Sequence, residues 1–385
     1  MPAKVVEKIV EVPAESKKDQ GIIALLKELE SEQFEKRKNK DSFGVEDAQN
    51  DVHPSIVTLG IQMNKGIIRG ATARTMAMLA CLRRVIDDYE TPRDQTLIRH
   101  LPTSRYLSHQ ISFLTSARPM TGAMLPPAMG NSIRWLKTEI SRINPDLSDD
   151  LAKRHLIDRI DAFIHEKFTA ADAVIADIAQ DYIDVEGSVV VTYSKSSIVQ
   201  QVLLRAKELR KTFRVIVVDN RVTLEGRNLV HTLVEEDIEV EYVHTYALDH
   251  VLQDATVCLL GAQSVLADGS VCARAGTALT AAMAKRMNLP VIVCAEMVKF
   301  SDRVNIDQIV MNELGDPDAL IPENWDTRFP EPGHLKGWQE QPNTMAVSLM
   351  YDVTPAELIS SIICEHGSTC PTDVPGVTAI AAKRE

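Results

Sequence analysis

The hydrophobic period of this chain changes once, near Gly187, and the change decides which folds are open to it. Beyond that point the apolar residues come in short, continuous, β-branched runs: VVVTY at 189–193, VIVVD at 215–219, VEYV at 240–243, VCLLG at 257–261 and VIVC at 291–294. Runs of this kind mark strands buried on both faces. Helical segments at 197–211, 224–236, 247–253 and 276–287 lie between them. Strand and helix therefore alternate at the spacing of βαβ crossovers, which predicts a doubly wound, Rossmann-like parallel sheet over residues 185–385. The tail NTMAVSLMYDVTPAELISSIICEHG is expected to add one more strand and a helix begun by Thr354 and Pro355. The stretch 302–343, rich in Pro and Gly and holding Trp325, Phe329 and Trp338, reads as a long connection.

Before Gly187 the period is helical. Met76, Leu79, Ala80, Leu82, Val85 and Ile86 recur at three and four, and similar spacing runs from residue 51 to 184, which predicts an all-helical domain there. Its breaks are expected at Gly70, 91–94, Pro102, Pro119, the Pro126–Pro127 pair and 144–150, where Ser148 can cap a new helix. Residues 1–50 carry charge runs such as KELESEQFEKRKNKD with few apolar anchors beyond Ile22, Ile23, Leu25 and Leu26. They are expected to form one exposed helix between flexible ends.

Composition narrows the function classes. With 45% hydrophobic and 25% charged residues in 385, the chain can bury a sizeable core. Its formal charge of -12 disfavours a nucleic-acid surface, because phosphate binding needs a concentrated excess of Lys and Arg. No apolar run reaches the roughly 20 residues of a membrane helix, and the opening residues lack the apolar centre of a secretory signal, so a cytosolic location is expected. The six cysteines, Cys81, Cys258, Cys272, Cys294, Cys364 and Cys370, form no CxxC pair. Reduced thiols are expected, with Cys258 and Cys294 acting as small buried hydrophobes rather than nucleophiles.

In a doubly wound sheet, ligands bind where the strands end, so residues 193–197, 219–221, 262–264 and 295–297 carry the candidate chemistry. No GxGxxG or GxxxxGK[ST] occurs, and HExxH, the nucleophile elbow and the kinase motifs are also missing. No cofactor or metal site is expected. Arg69 in RGATAR and Arg118 in SARP each precede a helix-starting signal, where anions are attracted. A surface ion pair is the alternative reading for both.

The blocks RGATAR, SARPMTGAM, VDNR, LLGAQSVLADGSVCARAGTAL and VIVCAE stand in the order and spacing of a known family. From about His53 onward the chain resembles the family that unites methylthioribose-1-phosphate isomerase, ribose-1,5-bisphosphate isomerase and the alpha, beta and delta subunits of eukaryotic translation initiation factor 2B. HPSIVTLGIQMNKG, VIDDYETP, HQISFLTSARP, TLEGRN, VKFSDRVNIDQIVMNELGDP and LMYDVTPAELI resemble its delta-subunit branch. The family's isomerases place a catalytic Cys after the first strand and a catalytic Asp after the fourth. The resemblance puts Ser194 and Gln263 at those positions, and Ala273 and Arg274 at its phosphate-binding Asn-Lys pair. A hydroxyl without a base is a poor nucleophile and an amide transfers no proton near neutral pH. The resemblance thus implies a non-catalytic subunit with a vestigial pocket of Arg69, Arg118, Ser194, Asp219, Gln263 and Arg274.

The resemblance also implies partners. A direct beta-subunit heterodimer is expected through the α/β domain, with alpha, gamma and epsilon subunits completing a guanine-nucleotide exchange factor. The helical domain would face the alpha subunit of initiation factor 2 and respond to its phosphorylation. Arg74, Arg83 and Arg84 are candidate contacts with that partner, a solvated helix face being the alternative. Gly276, Leu279, Met283, Tyr351, Asp352 and Leu358 are candidates for the subunit interface, or equally for packing on the chain's own sheet. A sugar-phosphate isomerase, or a sugar-phosphate sensor built on the same pocket, remains the competing reading.

Overall fold

The structure is a computed structural model that describes residues 52–92, 96–97, 101, 106–117, 126–183, 186–304, 312–320, 337–341 and 343–384. These residues fall within one compact unit, Phe43–Glu385. The expected helix in 1–50, the breaks at Pro102 and Pro119, Arg118, and Trp325 and Phe329 of the long connection lie outside the described residues.

Helices dominate up to Tyr182: α1 (Pro54–Asn64), α2 (Ala71–Asp87), α3 (Tyr106–Ala117), α4 (Pro127–Arg142), α5 (Asp149–Ile164) and α6 (Ala171–Ala179). A six-residue π-helical turn, His165–Ala170, joins α5 to α6. Pro54 and Pro127 sit in first turns, where the missing amide hydrogen costs nothing. Ser148 occupies the N-cap of α5 as expected, but its side chain makes no capping bond. The neighbouring Asp149 instead accepts the Leu97 N–H at 2.9 Å. Leu79, Leu82, Val85, Ile86, Met129, Ile140, Leu156 and Ile160 form one core among these helices.

From Ser188 strands and helices alternate: β1 (Ser188–Tyr193), α7 (Ser197–Glu208), β2 (Phe213–Asp219), α8 (Gly226–Glu235), β3 (Glu239–His244), α9 (Leu248–Val251), β4 (Val257–Gly261), β5 (Ser264–Val265), β6 (Val271–Arg274), α10 (Thr277–Arg286), β7 (Val291–Cys294), β8 (Tyr351–Thr354), β9 (Ser361–Cys364), β10 (Gly367–Thr369) and α11 (Val374–Arg384). The main sheet runs β10-β9-β7-β4-β1-β2-β3, parallel except for β10 against β9. Alternate residues of each strand supply the two faces. Val189, Val191 and Tyr193 pack with Leu248, Ala281 and Ala284 on one side, while Val190, Val215 and Val217 pack with Val199, Val202 and Leu229 on the other.

The TPAELI segment overturns its expectation. Residues 351–354 are strand β8, 356–358 make a single 3-10 turn and 361–364 are strand β9. Pro355 is extended at ψ 144°, Thr354 is buried rather than capping, and Ile362 and Ile363 are fully buried between β7 and β10. The β-branched pairing outcompetes the local helix signal. A small antiparallel sheet, β5-β6-β8, was also unforeseen.

Two close approaches lock the layers together. Gly276, the N-cap of α10, has φ +110°, and a Cβ there would lie 2.1 Å from the Tyr193 hydroxyl oxygen. At the seam with the helices, Thr72 donates to Glu296 at 2.9 Å, and buried Lys299 pairs with the same carboxylate at 2.6 Å. Asn131 donates to the carbonyls of Val298 and Phe300 at 2.9 and 3.0 Å. Asp172 sits in this seam, and burial together with the Glu296 and Glu365 charges, opposed by Lys299, pushes its carboxyl up to about 7.

Gly276→Ala should destabilise the fold by about 1–3 kcal/mol through a disfavoured φ alone, and by more through the Tyr193 collision, read as a lower denaturation midpoint. For Asp172, the folded pKa lies above the unfolded one, so its contribution is complete below about pH 4 and is lost as pH rises through about 7. Asp172→Asn should therefore raise the urea midpoint relative to the parent at pH 8 and leave the gap much smaller at pH 5.

Candidate functional site

The strand order reverses between β1 and β4, because β2 and β3 lie to one side of β1 and β4, β7 and β9 to the other. Such a switch point opens a crevice at the carboxyl ends of the two strands. A cavity of about 560 Å³ lies there, lined by Tyr193, Ser196, Gly261, Gln263 and Arg274 from the sheet side and by Arg69 to Ala73 from the start of α2. The crossing is tight. A Cβ on Gly261 would lie 2.0 Å from Ser196 Oγ, so only glycine lets β4 pass the N-cap of α7.

Arg69, Gln263 and Arg274 are brought to this cavity. Arg274 Nε and Nη2 donate to the two carboxylate oxygens of Glu225 at 2.9 and 2.8 Å. The guanidinium carbon lies 5.2 Å from the centre of the Tyr351 ring. Arg69 is half-exposed, donates Nε to the Gly66 carbonyl at 2.6 Å, and places Nη1 3.7 Å from Glu225 Oε1. Gln263 is pinned by its backbone N–H to the Cys272 carbonyl at 2.9 Å.

Ser194 and Asp219 stand behind the wall rather than in it. Ser194 adopts a left-handed φ of 56°, is 1% exposed, and its hydroxyl has no hydrogen-bond partner among the described residues. Asp219 accepts from the N–H groups of Asn220 at 2.9 Å and Gly226 at 2.8 Å and from the Tyr242 hydroxyl at 3.1 Å. Burial raises its carboxyl pKa against those bonds. Tyr193 donates its hydroxyl to the Ala275 carbonyl and accepts from Asn220 Nδ2 at 3.0 Å, with burial pushing the phenol up to about 12. Burial likewise pushes the Cys258 and Cys294 thiols up to about 12, which leaves neither as a thiolate.

The candidate surface residues separate. Arg74 is fully buried, donating Nε to the Gly70 carbonyl at 3.0 Å and Nη2 to the Tyr351 hydroxyl at 3.4 Å. It ties α2 to β8 instead of facing a partner, because its place one turn into α2 turns it onto the sheet. Arg83 is half-exposed and 3.3 Å from Asp161, and Arg84 is exposed. Tyr351 is buried under Arg274, and Gly276 is held against Tyr193. Asp352 is also turned inward, its Oδ2 accepting from the Gly276 and Ala278 N–H groups at 2.6 and 3.0 Å, and burial pushes its carboxyl up to about 6. Leu279 is 51% exposed, with Met283 and Leu358 half-buried. Sequence reasoning missed Glu225, because 49 residues separate it from the arginine it holds. It also missed the buried Glu296–Lys299 pair, although its members fall in the VIVCAE and VKFSDR blocks.

Residues 67–371 match the Initiation factor 2 subunit family. The chain is 39% identical over 332 residues to "Translation initiation factor eIF2B subunit delta" of Schizosaccharomyces pombe, covering 86% of this chain and 69% of that protein. It is 35% identical over 326 residues to the protein of the same description from Dictyostelium discoideum, covering 85% of this chain and 51% of that protein. The chain thus spans about half of the second relative's length. Its fold matches the crystal structure of the tetrameric eIF2B-beta2-delta2 complex from C. thermophilum with a TM-score of 0.70 and 32% identity, over 83% of this chain and 93% of that chain. A family match over residues 67–371, most of the sequence, makes this chain a member of the Initiation factor 2 subunit family.

Proposed function

We propose that this chain is a non-catalytic regulatory subunit of the guanine-nucleotide exchange factor for translation initiation factor 2. The observation that carries the reading is the likeness, over 83% of the chain, to a chain of a solved beta2-delta2 tetramer. The chemistry of the crevice supports it. Ser194 Oγ is buried with no hydrogen-bond partner among the described residues, and Gln263 contributes an amide, so the crevice offers no nucleophile–base pair at these positions. A scaffold needs only its fold and its surfaces, which tolerate such a loss.

In this reading the chain pairs with a homologous beta subunit through its α/β part, and exposed Leu279 with neighbouring Met283 on α10 offers an apolar contact. Alpha joins the regulatory core, and the gamma and epsilon subunits perform exchange. The helices face the alpha subunit of initiation factor 2, with Arg83 and Arg84 on α2 as the remaining arginine contacts. Phosphorylation of that subunit is sensed as a coupling between sites, with no chemical step by this chain. No helix among the described residues is long and apolar enough to cross a membrane. The competing sugar-phosphate reading draws on the cationic lining of the crevice, and the Glu225 ion pairs weigh against it.

Co-expression with the beta subunit followed by native mass measurement should give a stable heteromer, and a pull-down should discriminate phosphorylated from unphosphorylated initiation factor 2. A self-sufficient homo-oligomer that ignores both partners would remove the subunit reading.

A further inference from the structure

Among the described residues, four cationic side chains line the crevice, Arg69, Lys195, Arg274 and Lys299, against one lining carboxylate, Glu225, while Glu313 adds a second negative charge near Arg274. Lys299 is committed to buried Glu296. The other three leave an excess of positive charge at the mouth of α2, whose N-cap Gly70 provides no side-chain capping bond. A cationic crevice at a helix N-terminus favours an anion. In this chain the anion is already present. Glu225 receives two parallel N–H donors from Arg274, the fork arrangement that guanidinium offers equally to carboxylate and phosphate, and its Oε1 also faces Arg69.

The loop carrying Glu225 is built to hold it there. Glu225 stands at the N-cap of α8 yet makes no capping bond, because its carboxylate is turned to Arg274. Leu224 precedes it with φ +49°, a left-handed conformation disfavoured for a bulky residue. Asn220 Oδ1 fixes the turn from one side, accepting from Val222 N, Thr223 N and Thr223 Oγ1 at 2.9, 2.8 and 3.1 Å. Asp219 fixes it from the other through Gly226 N. At Gly226 a Cβ would lie 2.8 Å from Asp219 Oδ2, so the turn closes only with glycine beside Glu225. By contrast, Asp352 is used as a helix cap, its carboxylate accepting from the first N–H groups of α10.

We propose that Glu225 is an internal ligand: its carboxylate occupies the anion position between Arg274 and Arg69 and thereby excludes small phosphates and phosphate esters from the crevice. Glu225 is the specificity-determining residue of the pocket, and it sets this chain apart from any relative whose pocket takes such an anion from solution. Removing its charge frees the Arg274 fork. Nη1 of the same guanidinium, buried without a hydrogen-bond partner among the described residues, supplies a further donor for an oxyanion.

The test is a thermal-shift titration of the full chain with inorganic phosphate at constant ionic strength, with chloride as control, on the parent, Glu225→Gln and Glu225→Ala. The parent should show no saturable shift. Both variants should show one, with an apparent affinity at least tenfold tighter than any parental response. If a variant folds poorly, millimolar phosphate should restore its native circular dichroism and mass. The proposal is overturned if the parent saturates at the same phosphate concentration as the variants, if well-folded variants ignore phosphate, or if poorly folded ones are not rescued by it.

Discussion

A parallel strand covered on both faces can satisfy its backbone only sideways, through its neighbours, and everything else here follows from that constraint. Because β1, β2, β4 and β7 bury both faces in apolar residues, polar and charged groups are driven to the strand ends. The amino ends meet the helix C-termini and solvent. The carboxyl ends meet the N-termini of α7, α8 and α10 and, from the helical part, that of α2. Where the winding reverses between β1 and β4, the covering helices part and a crevice is left. Its position is a consequence of connectivity, whatever the crevice then does.

The crevice also joins the two kinds of structure in the chain. Arg74 reaches from α2 to Tyr351 on β8, Thr72 reaches to Glu296, and Asn131 holds the backbone at Val298 and Phe300. These contacts are polar and wholly or partly buried, so each partner depends on the other: removing one leaves its mate poorly reached by water, which costs more than the pair contributes. The helices and the sheet are coupled through the same rim that a ligand would touch. The junction can therefore stay rigid only if the rim remains electrostatically satisfied. The internal pairs of Glu225 with Arg274 and of Glu296 with Lys299 meet that need from within the chain.

Much of the fold was legible from local pattern. The five apolar runs became β1, β2, β3, β4 and β7, and the intervening helical segments appeared where the period required them. The failures are instructive. At 354–359 a Thr-Pro pair signalled a helix start, yet only a single 3-10 turn formed between two strands, because Ile362 and Ile363 are worth more paired between β7 and β10 than a short amphipathic helix is worth alone. The two-residue strand β5 and its partner β6 carry no run long enough to show a period.

Sequence alone determined the class of the chain, because burial on two faces and burial along one helical stripe leave different periods in the order of residues. It also determined which positions end up at strand ends, including Tyr193, Asp219 and Gln263, and that Arg69 precedes a helix start. The tertiary structure alone decided what those residues meet. Glu225 and Arg274 lie 49 positions apart, Arg74 and Tyr351 lie 277 apart, and no local signal couples them. Whether an arginine faces solvent, a buried tyrosine or an internal carboxylate depends on which elements the winding brings to one edge, and electrostatic pairing acts through space rather than along the chain.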